Sequence, residues 1–419
     1  MSLSKEDKDR LRDLVNKAFS PAAPIDEKDL FAGRNEQVTS VVDAICGKGQ
    51  HAIIFGERGV GKTSLANILS DCLQGTTKPV LAPHVNCDET DTFTSLWKKA
   101  FSEISICRAN HTIGFKSKPS TKISNITSDL PNKITPHDVQ KTLIELSAQA
   151  VPVIIFDELD RLKNISARRL FADTVKTLSD HSVPASLILV GVADTVDELV
   201  AEHLSIERAL VQIRMPRMSR EEIHEIIRKG LSKAAMTIEE SALKRISLLS
   251  QGLPHYTHLL GLYSAQHALD KGETEIAYVH VEAAIGKAMD KAQQSIKSTY
   301  HKAVSSPRSA SLYSQVLLAC ALSKTDELGY FAPVDVRTPI RYITKKSYEI
   351  PNFARHLNDF CETTRGPVLQ KTGSSRRYRF RFINPLMQPF VIMKGSADTK
   401  VPLSLLEALV SFAVKGPNN

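Results

Sequence analysis

The sequence predicts an α/β protein built on a parallel sheet, continuing into a helical segment and ending in a small basic domain of three helices and a β hairpin. Three observations carry that reading. The apolar residues 52–55 lead through Gly56-Glu57-Arg58-Gly59-Val60-Gly61-Lys62-Thr63 into the helical run 64–69, which is a strand, a glycine-rich turn and a helix in succession. Residues 151–156 are apolar and β-branched and end in Asp157-Glu158-Leu159-Asp160, as a strand buried on both faces of a parallel sheet reads. Residues 377–382 alternate Arg-Tyr-Arg-Phe-Arg-Phe, the two-residue period of a strand with one face inward.

The first motif is a complete GxxxxGK[ST] phosphate-binding P-loop, and its flanks give it chemistry. Glycines let successive backbone N–H groups turn toward phosphates, and the helix that follows adds the positive end of its dipole. Gly56, Glu57, Arg58, Gly59, Val60, Gly61, Lys62, Thr63 and Ser64 are therefore the expected nucleotide-binding residues, with Lys62 on the β and γ oxygens and the Thr63 hydroxyl on Mg2+. Phosphoryl transfer also needs a carboxylate in the magnesium shell and a group that orients water. Asp157 is expected in the first role, beside Thr63 as a metal residue, and Glu158 in the second, as the catalytic base. A solvated acidic turn is the plainer alternative for residues 157–160. With the loop upstream, a slow magnesium-dependent ATPase cycling between ATP and ADP is the expectation.

Beyond these motifs the chain resembles the AAA+ ATPases, and within them the origin-recognition and replication-initiator clade. Phe31-Ala32-Gly33-Arg34-Asn35-Glu36 resembles the family's opening segment near the adenine, Val85-Asn86-Cys87 the end of its second strand, and residues 157–162 its Walker B extension. Residues 187–194 resemble the sensor-1 strand, with Asp194 where the family usually has Asn. Glu207-Arg208, before the strand-like residues 211–215, resembles the segment that offers an arginine finger to a neighbouring subunit; Arg214 and Arg217 compete with Arg208 for that role. The resemblance thus implies a homo-oligomer when ATP is bound. Gly252-Leu253-Pro254-His255 departs from the initiators and resembles the Gly-x-Pro lid motif of STAND-type signalling NTPases, which implies that Pro254 packs on adenine and that His255 senses phosphate. Simple helix initiation at Pro254 is the structural alternative.

Length and periodicity divide the chain. Its 419 residues allow two or three domains. The expected organisation is an N-terminal helix and linker over 1–28, an AAA+ core over 29–218, a helical lid over 219–292, a linker over 293–308, a winged helix over 309–395 and a C-terminal helix over 396–419. Residues 108–135 are polar and Pro-punctuated and read as a long insertion in the core. With no apolar run of membrane-spanning length and no signal-peptide core, a cytoplasmic protein without a membrane partner is expected. The six cysteines have no CxxC or Cys/His ligand spacing, so reduced thiols are expected.

Charge concentrates in the winged-helix segment. Residues 293–395 hold 16 Lys+Arg against 6 Asp+Glu, a net +10 in a chain of +8, which leaves the remainder near −2. Helix-like residues 311–322, 334–343 and 351–363 precede a hairpin whose tip is 371–376. Three helices and a hairpin make a winged helix, and the resembling clade carries one at its C-terminus. On that reading Arg355, His356 and Asn358 would reach base edges of duplex DNA, and Lys371, Arg376, Arg377, Arg379 and Arg381 its phosphates. Arginines that guard an edge strand, or a winged helix that docks a protein, are the alternatives.

Two functions follow. One is a DNA-binding, initiator-like ATPase that assembles as a nucleotide-controlled switch, and the sequence favours it narrowly. The other is a STAND-like regulatory ATPase acting on a partner protein, with the winged helix as its docking or autoinhibitory module.

Overall fold

The computed structural model describes residues 3–25, 31–73, 78–111, 130–200, 206–306, 311–326, 328–375 and 377–399. They form two compact units. One is Pro24–Pro216, and the other joins Met1–Ala23 to Arg217–Asn419.

The first unit is an α/β sandwich. Strands β1 (His51–Gly56), β2 (Val80–Leu81), β3 (His84–Asn86), β4 (Val151–Asp157), β5 (Ser186–Val192) and β6 (Leu210–Arg214) make a parallel sheet ordered β2-β4-β5-β1-β6, and β3 follows β2 along the same edge of β4. Every residue of β1 is buried, because β5 and β6 flank it and helices cover both faces. Helices Asn35–Cys46, Lys62–Cys72, Phe93–His111, Pro136–Ser147 and Ile165–Asp180 fill the crossovers. Their aromatic residues hold one side of the core: Trp97 and Phe171 each meet the Phe156 ring edge-on, with centroids 5.2 and 4.9 Å away. Of the expected insertion over 108–135, residues 112–129 lie outside the described residues.

Burial also sets one proton. His51, at the start of β1, accepts the Leu187 N–H on Nδ1 at 3.0 Å, which requires a neutral ring. Burial pushes its pKa down to about 4. In the unfolded chain the ring titrates near pH 6.5. The unfolded state therefore binds the extra proton as pH falls from about 6.5 through 4, and stability falls with it.

The second unit is mostly helical. Helices Arg220–Lys233, Glu240–Ser250, Pro254–Lys271 and Tyr278–Lys291 occupy the residues expected as a lid, with a short parallel pair β7 (Thr237–Ile238) and β8 (Glu275–Ile276) that periodicity did not announce. Ser219 starts the first of these with a complete capping box: its hydroxyl accepts the Glu222 N–H at 3.2 Å and Glu222 accepts the Ser219 N–H at 2.8 Å. The N-terminal helix Lys5–Ala18, capped by Ser4, packs in this unit and is not a separate segment. Phe19 fastens it. Its ring is 1% exposed and lies where side chains at Gly230 and Gly261 would stand, since a Cβ at either would come within 2.7 Å of the ring.

Residues 293–308, expected as a linker, are corrected to a helix over Gln294–Val304. Ile296, Tyr300 and Ala303 recur at helical spacing and are buried there. Helices Tyr313–Ala321, Pro333–Thr344 and Ile350–Asp359 follow, then an antiparallel hairpin of β9 (Leu369–Thr372) and β10 (Arg379–Phe382). Phe331 adds an antiparallel bridge to Phe380. The helix Met387–Thr399 closes the described chain, and the expected C-terminal amphipathic residues 403–414 lie outside it.

Two predictions follow from this packing. Gly230→Ala should lower the melting temperature, although Ala favours helix by about 1 kcal/mol, because overpacking against a wedged ring costs about 1–3 kcal/mol. A higher melting temperature would show that the Phe19 ring has room to retreat. For His51, replacing it with Asn keeps an acceptor without a titrating ring. Denaturant melts should show the wild type losing about 3 kcal/mol more than His51→Asn between pH 7 and pH 4; equal losses would contradict the neutral buried ring.

Candidate nucleotide site

The P-loop sits at the C-terminal end of β1, an interior strand between β5 and β6, at the end of the parallel sheet where such sheets present their ligands. Gly56, Gly59 and Gly61 have φ of 148°, 85° and 98°, backbone that a side chain rarely adopts. A Cβ on Gly56 would also stand 2.4 Å from the Met215 carbonyl oxygen. The loop therefore needs glycine for its turn and for its contact with the strand beside it.

Lys62 begins the Lys62–Cys72 helix and is buried. Its ammonium donates to the Gly56 and Glu57 carbonyls at 3.1 and 2.9 Å. Burial pushes its pKa down to about 8, against the pull of the Asp160 and Asp157 carboxylates. Ser64 Oγ accepts the Ile25 N–H at 3.1 Å, so the segment before the core is tied to the same helix.

Arg34 braces the loop from below. It is 2% exposed, and its guanidinium donates to the Val60 carbonyl at 3.3 Å and to the Pro216 carbonyl. The sequence placed Arg34 in the opening segment without giving it this role. Its partners lie 26 and 182 residues away, which no local pattern encodes.

Asp157 ends β4 and is buried. Burial alone would raise its pKa, but hydrogen bonds from His84, from the Thr63 hydroxyl and from the Glu158 N–H outweigh it and hold the carboxyl below its ordinary range. The His84 Nε2 lies 3.3 Å from Asp157 Oδ2, and the Glu158 N–H donates to Oδ1 at 2.7 Å. His84 was missed at the sequence level, since a histidine opening a three-residue strand carries no motif. The two candidate metal residues, Thr63 and Asp157, thus lie close enough for the hydroxyl to hold the carboxyl's pKa down.

Glu158 follows in the left-handed region at φ 56°, and its carboxylate accepts from Arg161 at 2.8 Å. Asp160 Oδ1 accepts the Val192 N–H at 2.8 Å and so joins the tips of β4 and β5. Asp194 lies two residues beyond β5, with its N–H donated to Glu198 Oε2 at 3.0 Å. Arg208 is exposed in the turn before β6, whereas Arg217 donates to Gln251 O at 3.3 Å and Gln388 Oε1 at 2.6 Å.

The other candidates belong to the second unit. Pro254 is the first residue of its helix, and His255 Nδ1 donates to the Pro21 carbonyl at 2.7 Å. Arg355 lies 3.7 Å from Asp359, and the His356 ring packs against Tyr313 with centroids 4.6 Å apart. Lys371 donates to Asn358 Oδ1 at 2.8 Å and sits 3.7 Å above the Tyr378 ring. Arg379 pairs with Asp326 at 2.9 Å, and Arg381 donates to Gln370 at 3.2 Å and lies over the Tyr330 ring. Arg377 is exposed, and Arg376 lies outside the described residues.

Comparisons with known proteins give a family of NTPases and a shared fold. Residues 19–318 match the family described as Novel STAND NTPase 1. Among solved structures, a Walker-type ATPase of Pyrococcus abyssi aligns at TM-score 0.50 with 14% identity, covering 90% of this chain and 99% of that one. It shares the fold. The ORC2 protein of Aeropyrum pernix, in ADPNP and ADP complexes, aligns at TM-score 0.48 with 12% identity over 95% of this chain and 97% of its own. The ORC1 protein of Aeropyrum pernix in complex with DNA aligns at 0.45 with 14% identity over 92% and 96%. No curated protein matches the chain significantly in sequence. No helix among the described residues is long and apolar enough to cross a membrane.

The brace beneath the loop gives a test. Arg34→Ala removes a charged donor from two carbonyls, each such bond worth about 1.5–3 kcal/mol. The expected result is a thermal melt several degrees lower, with nucleotide affinity falling alongside. An unchanged melt and unchanged affinity would show that the loop holds its own shape.

Proposed function

Because the chain belongs to the Novel STAND NTPase 1 family, we propose that it is a regulatory ATPase, a switch that binds Mg-ATP, hydrolyses it slowly and passes its nucleotide state to a partner protein. The observation that carries the chemistry is the cluster of buried Lys62, the Thr63 hydroxyl and the Asp157 carboxylate at the tips of β1 and β4.

Loop N–H groups and Lys62 would bind the triphosphate, and Thr63 and Asp157 would hold magnesium. The donor set fits: the Thr63 hydroxyl and the Asp157 carboxylate lie close together and are hard oxygen ligands, and His84 and the Glu158 N–H fix the carboxylate's orientation. When bound, the metal supplies charge for the transferred phosphoryl oxygens. Glu158 is assigned to the attacking water. Its pair with Arg161 is exposed on both sides and screened by water, so the carboxylate can turn to that role. Asp194 and His255 are assigned as nucleotide sensors, and Pro254 to the adenine. Arg208, exposed before β6, is assigned to a neighbouring subunit's phosphate in an ATP-bound assembly.

The helices and hairpin over residues 313–382 are read as a winged helix that carries the output. A second reading, duplex-DNA binding by this module, is favoured by Arg355, whose side chain is 87% exposed on the third helix. Arg377 supports it from the hairpin.

Lys62→Ala should abolish nucleotide binding. Glu158→Gln should keep ATP bound and slow turnover by about 10²–10⁴-fold. Single-turnover hydrolysis with radiolabelled ATP reads both, and a Glu158→Gln rate equal to wild type would remove Glu158 as the base.

A further inference from the structure

A groove of about 610 Å³ opens between the first turns of helices Pro333–Thr344 and Ile350–Asp359 and the strand β10. Leu357 and Phe380, both buried, form its floor, and Val334 and Ile350 line its walls. Val334 is 55% exposed. Apolar side chains at the start of two helices, left open to water around a concave surface of ligand-site size, mark a binding site rather than a core. Arg377 stands on the rim, exposed, in the basic segment of the chain.

We propose that this groove receives an amphipathic segment of a partner protein, with large apolar side chains entering between Val334, Ile350 and Phe380 and Asp or Glu residues meeting Arg377. This rests on the reading of the chain as a regulator of a partner protein. Charge sets the sign of the partner, because the segment 293–395 carries +10 while the rest of the chain is near −2. Apolar walls set its class. Phosphates laid across Val334 and Ile350 would lose hydration and gain no donor. The cations nearby are also engaged, Arg379 with Asp326 at 2.9 Å and Lys371 with Asn358 and the Tyr378 ring. A helix with apolar residues at i, i+3, i+4 and i+7 satisfies both walls and rim.

The test uses the full chain and a labelled synthetic helix bearing Leu and Phe at that spacing with flanking Glu, beside a Lys-flanked counterpart and a duplex DNA. Fluorescence anisotropy should show the Glu-flanked peptide binding at least about tenfold tighter than the Lys-flanked one. Val334→Glu and Arg377→Glu should each weaken it about tenfold or more, while Ile383→Glu, at an exposed position outside the groove, should not. Wild-type melting temperatures establish that the variants fold.

Three results would overturn the proposal: no peptide binding, equal binding of both peptides, or duplex binding that Arg377→Glu abolishes and Val334→Glu leaves intact. The last would make this a nucleic-acid surface. ATP binding measured on the same samples separates the two readings. Lost peptide binding with ATP still bound removes the groove alone, and absent ATP binding removes the switch.

Discussion

Everything at the nucleotide site depends on the backbone turn at Gly56–Thr63, which needs three residues at positive φ and a strand end with no room for a side chain. That turn is delivered by an interior strand of the sheet. β1 is flanked by β5 and β6 and buried throughout, so the strand that delivers the loop cannot shift its register. Arg34 then fixes the underside of the loop by its bond to the Val60 carbonyl, and the Thr63 hydroxyl lies near the Asp157 carboxylate at the end of β4. The glycine turn is thus held in place by packing and hydrogen bonds around it.

The same arrangement keeps opposite charges buried together. Lys62 is desolvated but lies near Asp157 and Asp160, and Asp157 is desolvated but receives hydrogen bonds from His84 and the Glu158 N–H. Removing either partner would leave a buried charge unmatched, which costs more than the pair contributes. A site that must accept and release a polyanion fits such a balance, because the lysine's nearest partners are loop carbonyls, which phosphate oxygens can replace as its acceptors.

Much of this was legible in the sequence because it is written in consecutive residues. The P-loop, the acidic end of β4 and the alternation of residues 377–382 each occupy one short window. What escaped was long-range. His84 meets Asp157 across 73 positions, and Arg34 meets Pro216 across 182. The helix Gln294–Val304 was hidden by its Lys, Ser and Thr residues, although Ile296, Tyr300 and Ala303 already had its period. The alternation of arginines was visible, but not that Asp326 and Tyr330 would engage two of them. The groove needs three elements at once and has no sequence signature.

The central claim is that the Lys62, Thr63 and Asp157 cluster binds a magnesium nucleotide. Its most direct test is the thermal melt of the full chain with a non-hydrolysable ATP analogue, with and without magnesium. A ligand that binds only the folded state at a hundred times its Kd stabilises by about 2.7 kcal/mol, so a rise of several degrees is expected, larger with magnesium than without. A melting temperature that neither the analogue nor the metal moves would contradict it.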